Sequence, residues 1–105
     1  MIDSRKWAQV AIDKLKAGQQ VGIRPHGSSM YPRIVSGQLC TIDPIQAIES
    51  ILIGDIVLCE VRGSQYLHFV KDIRDGLYQI GNNKGGVNGW IGPSDIFGKF
   101  IGIAK

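Results

Sequence analysis

A chain of 105 residues with 44% hydrophobic content holds enough apolar material for one core and too little length for two, so a single domain over residues 1–105 is expected. Its net charge of +3 is spread over scattered positions such as Lys14, Arg24, Arg33, Lys71 and Lys99, which reads as a solvated surface and argues against a nucleic-acid partner. No run approaches the roughly 18 to 20 apolar residues of a membrane span, and MIDSRKWAQ lacks the apolar stretch of a secretory signal, so a soluble, cytoplasmic chain with no membrane partner is expected.

Along the chain, Asp3 or Ser4 can cap a helix over about residues 4–17. Trp7, Ala8, Ala11, Ile12 and Leu15 fall on one face of it, and Gly18 ends it. Beyond residue 20 the pattern changes to short apolar runs between turn-forming residues. Strands are expected in QVGIRP (20–25), GQLCTIDP (37–44), DIVLCEV (55–61), QYLHFVKDI (65–73), LYQIG (77–81) and FGKFIGIA (97–104), with turns at RGS and RDG. PIQAIESILIG reads as a loop with a helical turn, and NNKGGVNGW (82–90) as a structured loop anchored by a partly exposed Trp90. The fold class is therefore mainly β: a bent, partly closed antiparallel sheet over about 20–105 with one N-terminal amphipathic helix. Cys40 and Cys59 lie inside strand-like runs without CxxC spacing and read as buried reduced thiols; no metal or cofactor is expected.

The chemistry concentrates in HGSSMYPRI, residues 26–34. A serine there acts as a nucleophile only if a base takes its proton. His26 is too near in sequence to align easily, which leaves His68 and Lys71 on QYLHFVKDI. Three residues apart on a strand, these two point to opposite faces, so at most one can meet the serine. Histidine titrates near neutrality with little tuning, whereas lysine requires strong desolvation, and this favours His68.

GSSMYPRIVSGQL resembles the serine box of the superfamily of LexA-type self-cleaving repressors and type I signal peptidases, with Gly27, Ser29, Met30, Pro32 and Gly37 matching. LIGDIVLCEVRG is similar to the family's next strand, QYLHFVKDIRDGLYQIGNN to the strand bearing the base and its following box, and FGKFIGIAK to the closing strand. The resemblance spans residues 20–105. It implies the family's fold, Ser29 as nucleophile, and a base that is lysine in the bacterial enzymes and repressors but histidine in the archaeal and endoplasmic-reticulum type. His68-Phe69-Val70 followed by Asn82 and Asn83 is similar to the histidine type. Gly81 stands where that type carries an acid, leaving Asp95 as the candidate orienter of the imidazole and Lys71 as the alternative base.

The expected activity is hydrolysis of a peptide bond in trans, in a peptide or protein substrate, by a Ser29–His68 dyad. Gly27, Ser28 and Met30 would line the site, and the Ser29 N–H would donate to the oxyanion. No membrane segment or helix-turn-helix domain precedes the serine box, so neither an ordinary signal peptidase nor a complete repressor is expected. The alternative is a catalytically inactive peptide- or protein-binding module on the same fold, such as a phage or mobile-element accessory protein.

Overall fold

The computed structural model describes residues 4–104; Asp3, one of the two candidate caps, and Lys105 lie outside them. The apolar runs fold into seven strands: β1 (Val21–Ile23), β2 (Cys40–Pro44), β3 (Ile56–Val61), β4 (Ser64–Arg74), β5 (Leu77–Gly81), β6 (Val87–Ile91) and β7 (Ile96–Ile103). They form one antiparallel sheet in the order β1-β2-β7-β3-β4-β5-β6. The last strand in sequence thus enters the middle, and the β3–β4–β5–β6 meander builds one wing. β1 and β6 remain edges, so the sheet is open, without the partial closure expected from the sequence.

Two tight turns set the meander's register. Arg62 and Gly63 have φ of 50° and 82°, and Asp75 and Gly76 have φ of 52° and 74°. Two consecutive positive φ values match the right-handed twist of the flanking strands, which is why a glycine closes each turn. β3 is apolar on both faces, as a central strand must be: Ile56 and Leu58 join one core, while Val57, Cys59 and Val61 join a second.

The first core is covered by helix α1 (Gln9–Lys16), which buries Ile12 and Leu15, with Ala8 before them, against Ile42, Leu58, Leu67 and Phe100. Each such aliphatic side chain contributes roughly 1.5–3 kcal/mol on full burial. α1 is shorter than the 4–17 expected. Ser4–Lys6 forms a separate 3₁₀ turn, and the residue before α1, Ala8, has no side chain able to cap it. The capping acceptor comes from β4 instead, where the buried Gln65 accepts the Ala8 N–H through Oε1 at 2.8 Å. Trp7 precedes the helix rather than riding its buried face. It is 37% exposed, and its indole N–H donates to the Gln65 carbonyl at 2.9 Å. Cys40 and Cys59 are both buried and unpaired as expected, and burial, with the Asp95 charge as a lesser cause, pushes the Cys59 thiol up to about 12. No helix among the described residues is long and apolar enough to cross a membrane.

A second correction falls on residues 82–90. Only Asn82–Gly86 is a loop; VNGWI is edge strand β6, paired with β5. Asparagine and glycine pulled the sequence reading toward a loop, but the chain tolerates them here because β6 carries a bulge at their position.

Candidate active site

Ser29 rides on the connection between β1 and β2. The neck of that loop is closed by the Gly37 N–H donating to the Pro25 carbonyl at 2.8 Å and by Arg24 donating to the Gly37 carbonyl at 2.9 Å. Apolar burial pins its far side, since Met30 and Ile34 are sunk in the first core and the Ile34 N–H donates to the Met30 carbonyl at 3.0 Å. The Tyr31–Pro32 peptide bond within this turn is cis. Gly27 has φ of +108°, a region closed to most side chains, and its N–H donates to Ser36 Oγ at 3.0 Å.

The β5–β6 loop holds the same segment from the opposite side. The Asn83 N–H donates to the Ser29 carbonyl at 2.8 Å, and the Asn83 side-chain amide donates to the Tyr31 carbonyl at 3.2 Å. Asn82 shapes that loop from within, its Oδ1 accepting the Lys84 and Gly86 N–H groups at 2.9 and 2.8 Å. The asparagine pair therefore belongs beside the serine, as a clamp and its support.

His68 sits on β4 opposite Val57, 6% exposed, its ring stacked on Tyr66 with centroids 4.8 Å apart. Its Nε2 lies 3.0 Å from Ser29 Oγ, and its Nδ1 lies 2.7 Å from Asn88 Oδ1. An amide oxygen can only accept, so the pattern assigns the proton to Nδ1 and leaves the Nε2 lone pair facing the serine hydroxyl. Burial pushes the imidazole below its usual 6.5; the Asn88 hydrogen bond opposes this, and the nearby Lys71 charge adds to it. On balance the surroundings favour the neutral ring. Among the described residues the Ser29 N–H donates to no acceptor, which leaves it available to an oxyanion.

Sequence reasoning missed Asn88. The β5–β6 register passes from Ile80↔Gly89 to Gly81↔Val87, so Asn88 is the extra residue of a bulge, a feature that re-aims a side chain out of strand alternation. It was visible only as the third asparagine of NNKGGVNGW. Asp95, the expected orienter, occupies a 3₁₀ turn at Pro93–Asp95, while the two ring nitrogens of His68 meet Ser29 and Asn88 instead. Lys71 also sits at a register shift, between Val70↔Ile80 and Asp72↔Gln79; its ammonium lies over the Phe69 ring at 5.8 Å, and it makes no hydrogen bond to Ser29. Ser28 is exposed and contributes only its carbonyl, to the Tyr31 N–H at 3.2 Å, so it does not line the site as expected.

Gly81 leaves no room for the acid of the histidine-type pattern. A Cβ there would stand 2.5 Å from the Gly86 carbonyl oxygen and 2.9 Å from Lys71 Cε. Gly81→Ala should therefore lower stability by about 1–3 kcal/mol, read as a drop in the urea midpoint at constant slope. A midpoint equal to wild type would contradict this packing.

A cavity of about 600 Å³ opens beside the pair, bordered by Trp7, Met30, Ile34, Tyr66 and Leu67 together with Ser29, His68 and Asn88. His26 and Gly27 also border it. No protein-family model, curated protein or solved structure matches this chain.

Proposed function

We propose that this chain is a serine peptidase of the signal-peptidase and LexA type, hydrolysing a peptide bond of a separate substrate with Ser29, His68 and Asn88. The observation that carries the reading is the 3.0 Å approach of Ser29 Oγ to a His68 ring whose other nitrogen is held at 2.7 Å by Asn88. That is the nucleophile, base and orienter arrangement which acyl transfer needs.

In the first step Oγ bonds to the substrate carbonyl carbon while Nε2 takes the hydroxyl proton. The oxyanion forms against the Ser29 N–H. The imidazolium then returns its proton to the departing amine, leaving an ester on Ser29. Water, deprotonated by the same nitrogen, attacks that ester and releases the acid and the free serine. Asn88 keeps the ring in one tautomer throughout, with a neutral amide where other triads place a carboxylate.

Incubation with a fluorophosphonate should add one reagent mass to the intact protein and none to Ser29→Ala. Absence of an adduct on the wild type, together with no cleavage across a peptide library, would reject the peptidase reading and leave a peptide-binding groove on the same fold.

A further inference from the structure

Cations that are scattered in the sequence gather around the serine loop in the fold. Residues 14–42, 61–71 and 76–94 contain no aspartate or glutamate, and between them they hold that loop, His68 and the β5–β6 loop. Arg24 closes the neck of the serine loop through its bond to the Gly37 carbonyl at 2.9 Å. Arg33, exposed on the same loop, carries its guanidinium over the Phe100 ring at 5.3 Å. Lys84 is exposed beside Asn83, whose N–H and side-chain amide hold the Ser29 and Tyr31 carbonyls. Lys71 backs the root of the β5–β6 loop, its Cε 2.9 Å from where a Gly81 Cβ would stand.

Among the described residues none of these four cations lies within ion-pair distance of a carboxylate. The pairs that do form are elsewhere: Lys6 with Glu60 at 2.7 Å, Arg74 with Asp72 at 2.8 Å and Lys99 with Asp55 at 3.3 Å. Asp72, next to Lys71 in sequence, is engaged by Arg74 and by the Ile73 N–H. The positive potential around Ser29 is therefore not cancelled by the chain's own acids, and its reach extends about a Debye length, roughly 10 Å at moderate salt. Three of the cations are also held in place, Arg33 and Lys71 against aromatic rings and Arg24 on a carbonyl, so they lose less freedom on meeting an anion than loose side chains would.

The cations come from both loops that grip Ser29, an arrangement suited to several anionic groups along one extended chain. Four are fewer than the roughly six to ten phosphate contacts typical of a nucleic-acid site. We infer that this surface binds an acidic segment of the substrate, with aspartate or glutamate residues flanking the peptide bond that Ser29 attacks. The inference names a substrate class for the peptidase reading and rests on that reading, while the binding itself can be measured without turnover.

Fluorescence anisotropy on the full chain carrying Ser29→Ala tests it, with a labelled peptide of alternating glutamate and alanine, the same peptide with glutamine for glutamate, and an oligothymidylate of equal charge. At low salt the glutamate peptide should bind at least about tenfold tighter than the glutamine peptide. About 0.3 M salt should remove most of that preference. Lys84→Glu should weaken the glutamate peptide by roughly tenfold, whereas Lys16→Glu, the same change of net charge at the end of α1 farthest from Trp7, should alter it by less than about twofold. Thermal melts check that both variants fold. Equal binding of the two peptides, equal losses in the two variants, or tighter binding of the oligothymidylate would each overturn the inference, and a fluorophosphonate adduct on wild-type Ser29 would then leave the peptidase reading standing. The acidic preference without any fluorophosphonate adduct would overturn the peptidase reading alone and leave a surface that binds acidic peptides.

Discussion

Replacing His68 with alanine should slow phosphonylation of Ser29 by about 10³- to 10⁴-fold, because the serine hydroxyl then loses the ring nitrogen 3.0 Å away that is placed to take its proton. Ser29→Ala should give no adduct and should reduce peptide hydrolysis by on the order of 10⁴-fold or more. The double variant should be no worse than Ser29→Ala, since a base with no nucleophile to serve contributes nothing further; residues acting as one unit are strongly non-additive. Rate constants from intact-mass time courses measure all of these. Thermal melts check that each variant remains folded, which matters for His68 because its ring is buried against Tyr66. A His68→Ala protein that is folded and reacts within tenfold of wild type would remove His68 from the mechanism.

The second large effect concerns Asn88 and its control of pH dependence. In the wild type the imidazole titrates below 6.5, chiefly because it is buried. The rate of Ser29 acylation should therefore be at its plateau at pH 7 and decline only as pH falls through that lowered value. Asn88→Asp places a carboxylate where the amide oxygen now lies 2.7 Å from Nδ1. An opposite charge at that distance favours the imidazolium and should raise the His68 pKa by roughly 1–3 units, moving the acid limb of the profile upward. Asn88→Ala removes the hydrogen bond that favours the charged form, so its acid limb should move down. Its plateau should nonetheless fall by about 100-fold or more, because the ring loses its tautomer and orientation. Imidazole proton shifts followed in a Ser29→Ala background read the same pKa changes without any turnover. A limb in Asn88→Asp that stays in place or moves to lower pH would show that Asn88 does not act through His68.

The same titration bears on stability. Below 6.5 the unfolded chain takes a proton on His68 before the folded chain does. Stability from burying the neutral ring is therefore fully present above 6.5 and is lost as pH falls through the folded value.

Much of this arrangement was legible in the residue order. The apolar run DIVLCEV, the alternation in QYLHFVKDI and the two turns ending in glycine set the central strands and their pairing. The requirement that a serine have a base, with strand geometry allowing only one of His68 and Lys71 to face it, led to the pair that lies 3.0 Å apart. These features are local or have period two, and a single sequence carries such information directly.

What required the tertiary structure was everything set by an irregularity or by a distant partner. The cap of α1 comes from Gln65, 57 residues away, so no local N-cap signal existed to mark where the helix begins. VNGWI became a strand because β5 lay beside it to be paired, against the local preference of asparagine and glycine. A bulge breaks the two-residue period by one position, and that single offset brings Asn88, in place of Asp95, to His68. Residue order by itself thus determined the central strands and led to the pairing of Ser29 with His68. Only the folded sheet decided what meets the second ring nitrogen of His68 and what walls the cavity beside it, because both depend on long-range pairing and on one extra residue that alternation does not encode.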